Sequence, residues 1–323
     1  MQNRAPVTDV ARRKREFPHD PTHGIPSDVV QVLPEPAWRE RAAAHAAAVD
    51  ELTAGRLERR ADGRKHPVED FLFEYYNFRP AQLRRWHPGA GVGLEGAAER
   101  EDWSYYAYAE GRACLDVASF TARRGSAIDF VRALLTATLS RPGRFGCFGL
   151  HEWAMVYRAD EETIRHGGWP LRLGGTGTDE VVEQATIACS HFDAYRFFTP
   201  EAAPRNQLTP TREGQLAMEQ PGCLHAGMDV YKWCFKLTPL VPSDLTLDAF
   251  RLAREIRELD MRAAPYDLSE LGYEPVRIET PEGRAEYAAA QRAFSERSND
   301  LRRRLLAVLP PPDEGPAHPR HRR

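Results

Sequence analysis

"SDLTLDAFRLAREIRELDMRAA", residues 243–264, is the clearest amphipathic helix in this chain of 323 residues. Its apolar side chains recur at three- and four-residue steps, one stripe of an α-helix, while aspartate, glutamate and arginine take the other side. The same reading extends outward from it. "QPGCLHAGMDVYKWCFKL" (220–237), wound as a helix, puts His225 and Asp229 one turn apart on one face. "TPEGRAEYAAAQRAFSERSNDLRRRLLAVL" (280–309) starts a long helix with Pro281 in its first turn, and "AWRERAAAHAAAVDELTAGRLERR" (37–60) is an alanine-rich one.

Shorter helices are expected elsewhere. "HPVEDFLFEYYNF" (66–78) places Pro67 at the first helical position, with Glu69 and Asp70 in the first turn. "SAIDFVRALLTATL" (126–139) follows Ser126 as its cap, and "GLHEWAMVYR" (149–158) reads as a short apolar helix. Two stretches look extended: "WSYYAYAEGRACLDVASF" (103–120) and "WPLRLGGTGTDEVVEQATIACSHF" (169–192), the second with a Gly-rich hairpin turn. The fold class is therefore mainly α: a bundle-like single domain over 36–309 with one or two small β-hairpins. Residues 1–35, rich in proline and without apolar periodicity, are expected to be a disordered arm, and 310–323 a disordered basic tail.

Bulk properties narrow the function. The formal charge is −3, which gives no general pull toward nucleic acid. Basic runs such as "ARRKR" (11–15) and "HPRHRR" (318–323) read as solvated tails. The five cysteines form no CxxC pair, so reduced thiols are expected rather than a disulfide framework or zinc knuckle. No stretch has the roughly 18 apolar residues of a membrane span, and the charged amino terminus lacks a signal core, so a cytoplasmic location is expected.

The chemistry-bearing residues are histidines with carboxylates close by in sequence. His66 precedes Glu69 and Asp70, His151 adjoins Glu152, His191 is two before Asp193, and His225 is four before Asp229. Imidazole plus carboxylate is a ligand set of iron and other first-row metals in helical proteins. Buried histidine–carboxylate hydrogen bonds serve equally well as core structure. The doubled ExxH di-iron pattern and the HExxH zinc motif are both absent. Haem on a single axial histidine, His191 or His225 near Met228, is the other iron option. Cys147, four before His151, reads as a buried thiol rather than a nucleophile. In "NFRPAQLRRWHPGAGVG" (77–93), Arg79, Arg84, Arg85 and Trp86 could grip phosphate and stack on a base, or form a solvated helix ending in a Pro-Gly turn.

"HPVEDFLFEYYNFRPAQLRRWHPG", "RFGCFGLHEWAMVYR", "HFDAYRFFTP", "QPGCLHAGMDVYKWCFKL" and "IRELDMRAAPYDL" resemble an actinobacterial family whose members carry the name 3-methyladenine DNA glycosylase. The likeness runs from about Trp38 to about Leu309. It implies excision of an alkylated base, with the flipped nucleotide stacked on aromatics and a carboxylate supporting hydrolysis. Under it, Asp193, Asp229 or Asp260 could serve, and Arg79, Arg84, Arg85, Trp86, Tyr75 and Tyr76 could hold substrate or DNA.

The residues themselves favour a different expectation: a metal-dependent oxidoreductase, an iron oxygenase or oxidase for a small aromatic or amino-acid-like molecule. His66, Glu69, Asp70, His151, His191 and His225 form its metal pool, and Asp229, Asp193, Glu152 and Tyr157 its catalytic groups. Tyr75, Tyr76, Trp153, Tyr157 and Trp233 would wall the cavity. The DNA glycosylase is the alternative, needing no cofactor, and a non-catalytic binding protein is the third. All rests on whether histidines distant in sequence meet in one cavity.

Overall fold

The computed structural model of the protein describes residues 29–159 and 168–312; the arginine runs at 11–15 and 318–323 and most of both expected tails lie outside them. Its centre is a stack of three helices, α9 (Leu224–Lys236), α10 (Ser243–Arg262) and α11 (Pro281–Val308), each packed on the other two. In α10 the sequence pattern holds: Leu245, Ala249, Leu252, Ala253, Ile256 and Leu259 are buried, while Asp244, Arg251, Glu255 and Glu258 make the solvent stripe. Every residue of α9 from Leu224 to Tyr231 is buried, so this helix has no solvent face over two turns and its polar residues must find partners inside. The close approach is made at Gly227, where a Cβ would lie 2.9 Å from Ser298 Oγ and 3.0 Å from Ile256 Cδ1. The helices touch there backbone to side chain.

Around this core lie α1 (Glu35–Ala61), the short α2 (Phe71–Tyr75) and α3 (Pro80–Leu83), α4 (Val117–Leu139), α5 (Leu150–Ala154), α6 (Gly174–Gln184), α7 (Phe192–Tyr195) and α8 (Gln215–Met218). The fold is mainly α. Among the described residues its β part is one four-stranded sheet in the order β1 (Gln31–Leu33), β2 (Val92–Glu95), β4 (Arg112–Leu115), β3 (Tyr106–Ala109). The expected hairpin at 103–120 is β3–β4, turned by Glu110 and Gly111, both at positive φ as a two-residue I′ loop requires.

Several expectations need correction. The second extended stretch is α6 instead: Thr178 and Val182, four apart, are both fully buried, and this helical spacing outweighs the β-branched pair Val181–Val182. The end of the supposed arm, Gln31–Leu33, pairs in parallel with Val92–Leu94. Helix α4 begins nine residues before Ser126, capped by Asp116, whose Oδ1 accepts from Ser119 N at 2.8 Å. Pro67 lies in a turn, and α2 starts at Phe71.

In the Arg–Trp segment the tryptophan is a buried anchor, while Arg79, Arg84 and Arg85 stay at the surface. Trp86 is 4% exposed and, with Trp38, Trp103 and Tyr106, encloses the buried Arg100 guanidinium. Arg84 pairs with Asp50 at 2.7 Å and Arg85 lies over Trp103, while Arg79 is exposed. Trp86 is thus unavailable to stack on a base. "HPGAGVG" (87–93) leads from α3 into β2.

His87, in the same region, is 6% exposed with its Nδ1 3.0 Å from Tyr106 Oη. Burial, then Arg100 and Arg85, push its imidazole down to about 3. Between that value and the ordinary ~6.5, the unfolded chain holds a proton that the folded chain refuses. Stability contributed by neutral His87 is therefore complete above about pH 6.5 and falls by up to about 1.4 kcal/mol per pH unit as the medium is acidified toward 3. Urea midpoints measured from about pH 7 to 4 should show a shallower slope for His87→Gln than for the wild type. Equal slopes would refute this.

Candidate metal centre

Two groups of three buried ligand-type side chains face one another in the core. The first is His151, His225 and Asp260, the second His191, Glu219 and Asp229, and within each group the ligand atoms lie within 4.8 Å of one another. Helix α9 supplies one residue to each, because His225 and Asp229 stand one turn apart on a helix buried on all sides. Asp260 comes from the buried face of α10, His151 from α5, His191 from the residue capping α7, and Glu219 from the residue ending α8. The His225 ring lies between the other two imidazoles, 4.4 Å from His151 edge-on and 5.2 Å from His191 nearly parallel. Exposure of these six residues is 6% or less.

In the first group, His151 Nε2 and Asp260 Oδ1 form a buried ion pair at 3.1 Å, and neither atom has another partner among the described residues. Two ligands at about 2.1 Å from a common ion, at tetrahedral or octahedral angles, stand about 3.0–3.4 Å apart. The His151–Asp260 pair has that separation, which a metal-free ion pair shares. Asp260 Oδ2 and Glu152 Oε1 both accept from Arg257 Nη1, at 3.2 and 2.8 Å, and the guanidinium stacks 3.8 Å from the Phe71 ring centroid. Arg257 thus holds the far oxygen of Asp260 and leaves the near one facing His151.

Charge follows from this packing. Burial by itself would raise the Asp260 pKa, but His151 beside it holds the carboxyl well below the usual range. Burial opposes a proton on His151, and Asp260 outweighs burial and raises that imidazole. Burial, then the His151 charge, keeps His225 well below its ordinary value and so neutral, the form that ligates metals. Backbone strain gathers around α5, where Phe148 (φ 44°) and Arg158 (φ 51°) flank the helix in the left-handed region. Each such residue costs on the order of 1–3 kcal/mol, and here they set the entry and exit of the segment bearing His151 and Glu152.

The second group is bonded more fully. Asp229 Oδ1 accepts from Tyr76 Oη at 2.8 Å, and Oδ2 from Lys232 Nζ at 2.8 Å, with His191 Nε2 3.4 Å away. Against burial, Lys232 and His191 keep Asp229 ionised. Glu219 Oε2 accepts from Gln215 Nε2 at 2.9 Å, and burial raises its pKa. His191 Nδ1 has no partner among the described residues. Tyr76 and Lys232 also line a pocket of about 700 Å³ whose walls include Phe71, Tyr75, Trp169, Asp193, Arg196 and Lys236. The Asp193 carboxylate takes Lys232 and Arg196 at 3.3 Å each.

Of the expected ligands, His151, His191 and His225 come together and His66, Glu69 and Asp70 do not. His66 Nδ1 accepts from the backbone of Val68 and Glu69, and Asp70 Oδ2 accepts from His66 N, so the first pair is a turn-closing motif. Asp70 is further tied to Arg59 at 2.8 Å and Arg56 at 3.4 Å, and Glu69 to Arg59 at 2.7 Å. Of the expected catalytic groups, Asp229 stands in the second group, Glu152 beside the first, and Asp193 in the pocket wall. Tyr157 lies elsewhere, donating to Glu183 Oε1 at 2.8 Å. Tyr75 and Tyr76 line the pocket, while Trp153 is core, its Nε1 donating to Ala263 O. Met228 is fully buried core, and all five cysteines are free.

Asp260 and Glu219 were missing from the expected ligands. Asp260 carried a readable signal, a carboxylate four residues after Ile256 on the apolar stripe of α10. Glu219, between a one-turn helix and a proline-led turn, carried none.

No family model, curated protein or solved structure matches the chain. No helix among the described residues is long and apolar enough to cross a membrane.

Proposed function

We propose that this protein is a metal-dependent oxidoreductase with iron held by His151, His225 and Asp260. The reading is carried by one observation: His151 Nε2 and Asp260 Oδ1 meet 3.1 Å apart with no further partner among the described residues, beside a neutral imidazole, all buried. Two imidazoles and one carboxylate are the donor set of non-haem iron enzymes that use dioxygen. Bound there, iron would supply dioxygen activation. Non-haem iron suits the space better than haem, because the His225 ring is packed between two other imidazoles.

The chain's own residues have definable tasks. Arg257 orients Asp260 and balances Glu152, as partners of ligands generally do. Tyr75, Tyr76, Phe71 and Trp169 offer stacking walls to a small aromatic or amino-acid-like substrate. Asp193 and Lys232 give its polar end a carboxylate and an ammonium. Protein purified from iron-supplemented cells should hold about one equivalent of iron or more and consume dioxygen with its substrate. Metal below about a tenth of an equivalent, with activity intact, would defeat the proposal.

The pocket also gives the glycosylase reading a specific support, since aromatic walls with a carboxylate and cationic rim are what a flipped base needs. That reading requires release of methylated adenine from alkylated DNA by protein stripped of metal, with binding that weakens steeply as salt rises.

A further inference from the structure

None of His151, His225 and Asp260 lines the pocket, whereas the second group reaches it through the bonds of Asp229 to Tyr76 and Lys232. We propose that His191, Glu219 and Asp229 bind a second divalent first-row cation, so that the centre is dinuclear and its pocket-side ion is the one nearest the substrate. The proposal rests on the first group being a metal site.

Four observations carry it. The ligand atoms of His191, Glu219 and Asp229 converge within 4.8 Å, and no residue is shared with the first group. All three side chains are at most 3% exposed, and His191 Nδ1 is left without a partner among the described residues, an expensive omission in a core unless something else engages the ring. The His191 and His225 rings are stacked 5.2 Å apart, so the two groups adjoin. Asp229 bonds two pocket-lining residues, which fixes this group on the pocket side. One imidazole with two carboxylates is a mixed nitrogen–oxygen set, suited to iron, manganese or zinc rather than to calcium.

The Lys232 ammonium, 2.8 Å from Asp229 Oδ2, sets the order of filling. A carboxylate has about four lone-pair positions, so Asp229 can keep Tyr76 and Lys232 and still ligate. The neighbouring positive charge nevertheless repels a cation, and the second ion should bind more weakly than the first.

Manganese(II), added to metal-free full-length protein and counted per chain after equilibrium dialysis, tests this. The wild type should take up about two equivalents in two steps of different affinity. His191→Asn and Glu219→Gln should each keep the tight step and lose the weak one, while Asp260→Asn should lose the tight step. Glu219→Gln is nearly isosteric and removes no packing, so one informative variant folds even if the other fails. Saturation of the wild type at one equivalent, retained by both His191→Asn and Glu219→Gln, overturns the dinuclear centre and leaves the first site standing. No uptake at all overturns both.

Discussion

Asp260→Asn should weaken the tight metal step by about 100-fold or more while leaving the fold intact. Losing even an outer partner of a metal ligand costs about 10–100-fold in affinity, and Asp260 is placed as a ligand itself. Asparagine keeps the shape, so the α10 packing survives, and Arg257 retains Glu152 at 2.8 Å. The comparison is a chelator competition with metal limited to about one equivalent per chain, alongside circular dichroism of both proteins. Equal competition curves would mean that the 3.1 Å approach to His151 is an internal ion pair and nothing more.

Arg257→Met should be the most destabilising single change near the site. Arg257 is 1% exposed and is the shared hydrogen-bond donor to two buried carboxylates, Glu152 and Asp260. Removing one partner of a buried ion pair typically costs about 3–5 kcal/mol, because the remaining charge is left without compensation. Methionine replaces the stem of the side chain, which isolates the loss of charge from the loss of volume. Here metal and stability become linked. A divalent ion at Asp260 returns the missing positive charge, and binding to the folded state alone adds about 2.7 kcal/mol at a hundred times the Kd. Urea denaturation should therefore show a variant markedly weaker than the wild type without metal and partly restored with it. A variant as stable as the wild type, or one indifferent to metal, would contradict the charge scheme.

The sequence was most readable where a single physical rule acted alone. Helix α10 announces itself by apolar period and α11 by Pro281 in its first turn, where the structure adds Thr280 as the cap accepting from Gly283 N. Whether His66, His151, His191 and His225 meet was the open question of the sequence, and the structure brings the last three rings together and leaves His66 apart. What failed was the inference from neighbours in sequence. His66 with Asp70 and His225 with Asp229 have the same four-residue spacing, yet the first closes a turn and the second divides between two clusters. Spacing tells which groups share a face, and only the packing of distant elements tells what they meet. His151 and Asp260 are over a hundred residues apart, joined by the α5–α10 contact. Helix α6 was misread for the related reason that paired valines suit a strand and an α-helix face alike.

The close contact at Gly227 has a consequence for how this centre could move. The residue stands between His225 and Asp229, with Ser298 of α11 and Ile256 of α10 occupying the space a side chain would need. Helix α9 is therefore held tightly in its first turn, at the point that separates the two ligands it supplies. Any shift of this turn would move both His225 and Asp229, so loosening either cluster disturbs its neighbour, and the two clusters behave mechanically as one part.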